Sequence, residues 1–144
     1  MITEKDKLVD RLKGLAGTWV IVEGKKDTRA LRKVGLTKII ELNCPTYELA
    51  ESLQKMKIRK VAILTDLDKE GKKLYGRIKE DITRVGINID DSFRDFLFKE
   101  TTLAQIEGLT SYLEHRAMSS YVRVLNEAKK LSSKKLCKKL ANPQ

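Results

Sequence analysis

Apolar residues along this chain follow two rhythms, short unbroken runs and spaced sets recurring every three or four positions. Leu8, Val9, Leu12 and Leu15 have the helical spacing, which predicts a helix over Glu4–Leu15 ended by Gly14 and Gly17. Trp19-Val20-Ile21-Val22 follows as a buried strand. Asp27 or Thr28 is placed to cap a helix with Ala30, Leu31 and Val34 inward, closed by Gly35. Thr37–Leu42 reads as a second strand, Asn43-Cys44-Pro45 as a turn, and Thr46–Met56 as a helix with Pro45 suited to its first turn. Val61–Leu64 is one of the most continuously apolar runs, as expected of a central parallel strand covered on both faces.

After Gly71 a helix presents Leu74, Ile78, Ile82 and Val85, then stops at Gly86. Ile87–Ile89 predicts a short strand, and Asp90/Asp91 to Phe98 a short helix carrying Phe93, Phe96 and Leu97. Thr101–Ile106 is a further strand candidate, and the chain reads as helix from Thr110 onward, with a break near Ser119-Ser120. Strands alternating with helices of these lengths predict an α/β domain with a largely parallel sheet. No internal repeat or low-complexity linker interrupts it.

Two apolar runs end in acids. Trp19–Val22 leads into Glu23-Gly24-Lys25-Lys26-Asp27, and Val61–Leu64 into Thr65-Asp66-Leu67-Asp68-Lys69-Glu70-Gly71. Open α/β sheets place ligand sites at the carboxyl ends of their strands, so Glu23, Asp66 and Asp68 are expected to converge. Carboxylates facing one another repel unless a cation lies between them. Asp66 and Asp68 are two apart and would point to one side of an ideal strand, together suiting Mg²⁺. Gly71 sits where a loop enters a helix, a place whose free N–H groups suit a phosphate.

Charge narrows the partner. The chain has 144 residues, 30 Lys and Arg against 20 Asp and Glu, and a net charge of +10. That balance favours a polyanion such as nucleic acid. Lys25, Lys26, Arg29, Arg32 and Lys33 follow the first acidic cluster, and Arg123, Lys129, Lys130, Lys134, Lys135, Lys138 and Lys139 face only Glu127 in the last part of the chain. A Lys-rich surface is also compatible with adaptation to heat. No apolar stretch approaches the roughly 18–20 residues that span a bilayer, and the first residues lack a secretory signal's apolar core. A cytoplasmic protein without membrane association is the default expectation. Cys44 and Cys137 match no metal-ligand spacing and are expected as thiols, and the single histidine, His115, makes His-rich zinc sites and a Ser-His-Asp triad improbable.

The two acidic clusters, in this order and each between an apolar run and a helical pattern, resemble the Toprim domain over roughly Gly17 to Leu109. That domain is shared by topoisomerases, bacterial-type primases, OLD-type nucleases and the bacterial ribonuclease that matures ribosomal RNA. The wording Val22-Glu23-Gly24-Lys25-Lys26-Asp27 and Leu64-Thr65-Asp66-Leu67-Asp68-Lys69-Glu70-Gly71 looks closest to small stand-alone Toprim proteins of archaea and bacteria. The resemblance implies a Rossmann-like Toprim fold: a mostly parallel sheet of about four strands flanked by helices, spanning 17–109, after an N-terminal helix at 1–16 and before a basic helical extension at 110–144. It implies Glu23 as general acid/base or metal ligand and Asp66 and Asp68 as ligands of Mg²⁺, with Mn²⁺ as a substitute. Asp27 and Gly71 match the motifs' outer positions, Glu70 and Asp27 are candidates for further acids of two-metal chemistry, and Lys25 for phosphate contact. Lys26, Arg29, Lys134, Lys135, Lys138 and Lys139 complete the expected nucleic-acid-binding set.

Departures from the larger family members bound the activity. A topoisomerase needs a nucleophilic tyrosine on a separate domain, whereas Tyr47, Tyr75, Tyr112 and Tyr121 read as packing or helix-surface residues. A replicative primase needs an added nucleotide-binding region and usually a zinc module. The expectation is therefore Mg²⁺-dependent phosphodiester cleavage on structured RNA or DNA, gripped through phosphates, because few aromatics are available to stack single-stranded bases. The alternative is a non-catalytic, Mg²⁺-dependent nucleic-acid-binding subunit of a larger processing complex. A haloacid-dehalogenase-type phosphatase using Asp66 as nucleophile is disfavoured, since small residues rather than Lys69-Glu70 usually follow its Asp-x-Asp.

Overall fold

The computed structural model describes residues 4–109 and 111. A four-stranded, all-parallel sheet forms the middle layer. In chain order the elements are α1 (Glu4–Leu15), β1 (Trp19–Val22), α2 (Lys25–Lys33), β2 (Ile39–Glu41), α3 (Thr46–Lys55), β3 (Lys60–Ile63), α4 (Lys69–Arg84), β4 (Asn88–Ile89) and α5 (Ser92–Glu100), then a 3-10 turn at Ile106–Gly108. The strand order is β2-β1-β3-β4. Val20 pairs with Ile39 on one side and Ala62 on the other, and Val61 pairs with Ile89.

Because successive strand residues point to opposite faces, each central strand feeds two cores. Val20 and Val22 of β1, with Ala62 and Leu64, pack against Leu8 and Leu12 of α1, Leu31 of α2 and Phe93 and Leu97 of α5. Trp19 and Ile21, with Val61 and Ile63, pack against Leu49 and Leu53 of α3 and Ile78 and Ile82 of α4. This explains why the central runs are apolar throughout. The chain moves from β1 outward to β2, then crosses back past β1 to β3, and its covering helix changes face with the change of direction. Right-handed crossovers require that exchange. The reversal leaves a crevice between the carboxyl ends of β1 and β3, the place where open α/β sheets bind ligands.

Helix ends follow the glycine signals. Gly35 (φ 100°) and Gly86 (φ 85°) take left-handed conformations just past α2 and α4, and the next amides, of Leu36 and Ile87, return to the carbonyls of Leu31 and Ile82. Helix starts differ from expectation by a few residues. α2 begins at Lys25 with Gly24 as its N-cap, so Asp27 and Thr28 lie in the first turn instead of capping it. Pro45 is the N-cap of α3, immediately before the helix. α4 begins at Lys69, ahead of Gly71, with Asp68 as N-cap. For α2 and α4 the tight turn after the strand lets the helix start sooner than the apolar spacing alone would suggest, while α3 starts at Thr46 as expected.

The strand expected at Thr101–Ile106 does not form. The Thr101 hydroxyl donates to Leu97 O at 2.6 Å and accepts from the Leu103 amide at 3.3 Å, fastening the end of α5. Beyond it the backbone makes single cross-links instead of a ladder, Leu67 N–H donating to Ala104 O at 2.7 Å. Leu103 and Ile106 still pack on the core, so the apolar residues of this segment reflect burial of an irregular strap. The helical reading from Thr110 onward, with His115, Tyr112, Tyr121 and Cys137, lies outside the described residues. Cys44 is a free, partly buried thiol.

Gly71 fixes how closely α4 approaches the β3 loop. A Cβ there would overlap the backbone carbonyl of Asp66, while the Thr65 hydroxyl donates to Gly71 O at 2.7 Å. Gly76, exposed on the same helix, has open space around it. Gly71→Ala should therefore cost roughly 1–3 kcal/mol by overpacking, and Gly76→Ala should stabilise by about 1 kcal/mol through helix propensity. Urea unfolding of both variants checks this; equal shifts in one direction would contradict the close approach.

Candidate metal centre

Glu23 follows the last residue of β1, and Asp66 lies three residues past the end of β3. Asp27 projects from the first turn of α2. One carboxylate oxygen from each of Glu23, Asp27 and Asp66 lies within 4.8 Å of the others. Asp27 is buried at 7% exposure, and the other two are half-buried. Three hard oxygen donors at this separation could hold a divalent cation of the Mg²⁺ type.

Electrostatics records the crowding. Glu23 is pushed from 4.5 to about 7, first by burial and then by the Asp66 charge, by a side-chain hydrogen bond with Asp66, and by Asp27 and Asp68. Asp27 is also raised, by burial and then by Asp66, with Glu107 adding to it and backbone hydrogen bonds at Gly24 and Glu23 opposing it. The N-terminus of α2 partly offsets this charge, because its first-turn amides face the strand ends and Gly24 brings no side-chain cap.

Asp68 takes a different place from the one its spacing suggested. β3 ends at Ile63, so strand alternation does not reach Asp66 or Asp68. The Asp68 side chain is exposed and accepts from the Gly71 amide at 2.8 Å, capping α4. It remains near enough for its charge to bear on Glu23. Glu70 is exposed in the first turn of α4, and Lys25, Lys26 and Arg29 are exposed on α2, spaced so that Lys25 and Arg29 share a face. Lys134, Lys135, Lys138 and Lys139 lie outside the described residues.

Two groups that sequence reasoning missed hold Asp66. Its Oδ1 accepts from the Ile106 amide at 2.9 Å, so the strap after α5 reaches the crevice. Arg94, in the first turn of α5 and only 8% exposed, donates to the carbonyls of Thr65 at 2.6 Å and Asp66 at 3.2 Å. Its guanidinium lies 4.5 Å from the centroid of the Tyr75 ring, whose hydroxyl donates to Asp91 at 2.5 Å. The signal for Arg94 was its position among Phe93, Phe96 and Leu97, a charged residue inside an apolar helix pattern.

The raised carboxyl gives the metal-free protein a characteristic pH response. Folded Glu23 binds its proton more tightly than the unfolded chain, so its stabilising contribution is complete below about 4.5 and lost as pH rises through about 7. Asp27 acts in the same direction. With a chelator present, the melting temperature should fall between about pH 5 and about pH 8, and Glu23→Gln should flatten that fall. An unchanged slope in the variant would assign the effect elsewhere.

Comparison with known proteins agrees with this arrangement. Residues 18–96 match the Toprim domain family. The chain is 35% identical over 101 residues to a UPF0292 protein of Methanocaldococcus jannaschii, covering 67% of this chain and 79% of that one. It is 31% identical over 110 residues to a UPF0292 protein of Archaeoglobus fulgidus, covering 74% and 86%. A solved structure from Aquifex aeolicus superimposes with a TM-score of 0.63 at 31% identity, covering 70% of this chain and 94% of that one. Among the described residues no helix is long and apolar enough to cross a membrane. With its all-parallel sheet, and with an acidic cluster at the crevice of the kind that suits Mg²⁺-dependent work on nucleic acids, the chain belongs to the Toprim family.

Proposed function

We propose that this protein cleaves phosphodiester bonds in structured RNA or DNA with the help of Mg²⁺, for which Mn²⁺ can substitute. The observation that carries the reading is the Glu23–Asp27–Asp66 trio, in which the Glu23 carboxyl is poised at about 7. In the metal-free protein that value lets Glu23 give or take a proton near neutral pH, and a bound cation's charge would favour its ionised, proton-accepting form. Asp27 and Asp66 would hold the cation, Asp68 would complete the set from the rim with one oxygen already committed to the Gly71 amide, and Glu23 beside them would act as acid/base when it is not itself a ligand. Mg²⁺ bound there supplies Lewis-acid stabilisation of charge building on phosphate oxygens.

The chain's own groups account for the rest. Glu23 protonates the leaving oxygen, or in its ionised form takes a proton from the attacking water. Asp66 is held through the Ile106 amide, with its carboxylate beside that of Glu23. Lys25, Lys26 and Arg29 stand exposed beside the crevice to engage flanking phosphates, which favours duplex or folded substrates over base readout. Lys134, Lys135, Lys138 and Lys139 extend the same basic character in sequence. The compartment proposed is the cytoplasm, with a processing complex as the setting if a protein partner is needed.

A panel of structured RNAs and DNAs with Mg²⁺ or Mn²⁺ tests this. Glu23→Gln should lower cleavage by about 10²–10⁴-fold while leaving nucleic-acid binding near wild type. Asp66→Asn should lose cleavage together with metal affinity. Wild-type protein that binds the panel and cuts none of it would replace the enzyme reading with that of a binding subunit. Hydrolysis of small phosphomonoesters alone would point to a phosphatase.

A further inference from the structure

We infer that Arg94 is the positioning residue of this site, a buried fork that fixes the β3 loop so that Asp66 meets Glu23 and Asp27. The inference rests on the reading of that trio as a cation site. Three observations lead to it. Arg94 spends two donors on consecutive backbone carbonyls, Thr65 O and Asp66 O, at the residues that carry the Asp66 carboxylate into the crevice. Its side chain crosses from α5, an element that contributes no acid to the trio, and is itself steadied against the face of Tyr75. Its charge lies near enough to interact with both Glu23 and Asp66 while its donors go to main-chain carbonyls, so it offsets the acids while leaving their oxygens to other partners.

This geometry uses what distinguishes arginine from lysine. A planar guanidinium can bond two carbonyls at once and stack on an aromatic ring, whereas an ammonium supplies a point charge. Arg94 is buried with its donors on main-chain carbonyls, so it acts through Asp66 and is not itself placed as a ligand. Its effect is on where Asp66 is held and on how much repulsion the trio carries. Groups that orient metal ligands typically change affinity by about 10–100-fold when altered.

The test measures two quantities in full-length wild type, Arg94→Gln and Arg94→Lys. One is Mn²⁺ affinity by titration calorimetry. The other is amide exchange at Ile106, whose N–H is bonded to Asp66 Oδ1, compared with Val20, whose N–H is bonded to Lys38 O in the sheet. Arg94→Gln should weaken Mn²⁺ binding about 10–100-fold and accelerate Ile106 exchange relative to Val20, with Arg94→Lys recovering only part of the affinity. Wild-type affinity and unchanged relative exchange in Arg94→Gln would overturn the assignment. Should that variant fail to fold, wild-type-like values in Arg94→Lys overturn it instead. Absence of Mn²⁺ binding to the wild type would instead sink the cation-site reading, and the exchange comparison would still decide whether Arg94 holds the loop.

Discussion

Three carboxylates cannot share a few ångströms near neutral pH without something offsetting their charge, and much of this molecule is organised around that difficulty. Crowding raises the Glu23 carboxyl to about 7, the α2 N-terminus brings partial positive charge to the cluster, and Asp66 gives one oxygen to the Ile106 amide. Arg94 contributes a full positive charge from behind the β3 loop. None of these neutralises the trio. They hold it in place and leave its oxygens facing one another, an arrangement that a divalent cation would relieve. The charge left uncompensated and the capacity to bind are two descriptions of one geometry.

The sheet makes such crowding tolerable. Each central strand is anchored on both faces by separate apolar clusters, so the strand ends are stiffly placed before any polar group acts. The reversal of chain direction between β2 and β3 brings the ends of β1 and β3 side by side. A turn of only two residues separates β1 from α2, which delivers Glu23 and Asp27 from adjoining elements within one short stretch of chain. The nucleic-acid chemistry proposed for the site thus rests on topology first and on side-chain chemistry second.

How much of this was legible follows from what each signal measures. The runs Trp19–Val22 and Val61–Leu64 and the stops at Gly35 and Gly86 announced strands and helix ends, because burial on two faces and left-handed backbone leave direct traces in residue type. The strand alternation expected to align Asp66 with Asp68 does not operate, since the pleat stops at Ile63; Asp68 caps α4 instead, with its charge still bearing on Glu23. Asp27 entered the trio by helix geometry, which the strand-centred reading placed at the motif's edge. The segment Thr101–Ile106 mimicked a strand because its Thr residues and its buried Leu103 and Ile106 report β propensity and burial, and neither says whether a ladder partner exists. Arg94 was hidden for a deeper reason: its partners are main-chain carbonyls twenty-eight and twenty-nine residues away, and backbone acceptors carry no residue-type signature.

The outer strands carry a consequence of their own. Among the described residues β2 has three residues and β4 only two, so the sheet they form offers very little unpaired backbone at either margin. Short edges are poor templates for strand addition, which protects a small parallel sheet from recruiting copies of itself. The margins of the sheet are thus closed by brevity, and the carboxyl ends of its two longer central strands are where its backbone stays open to a ligand.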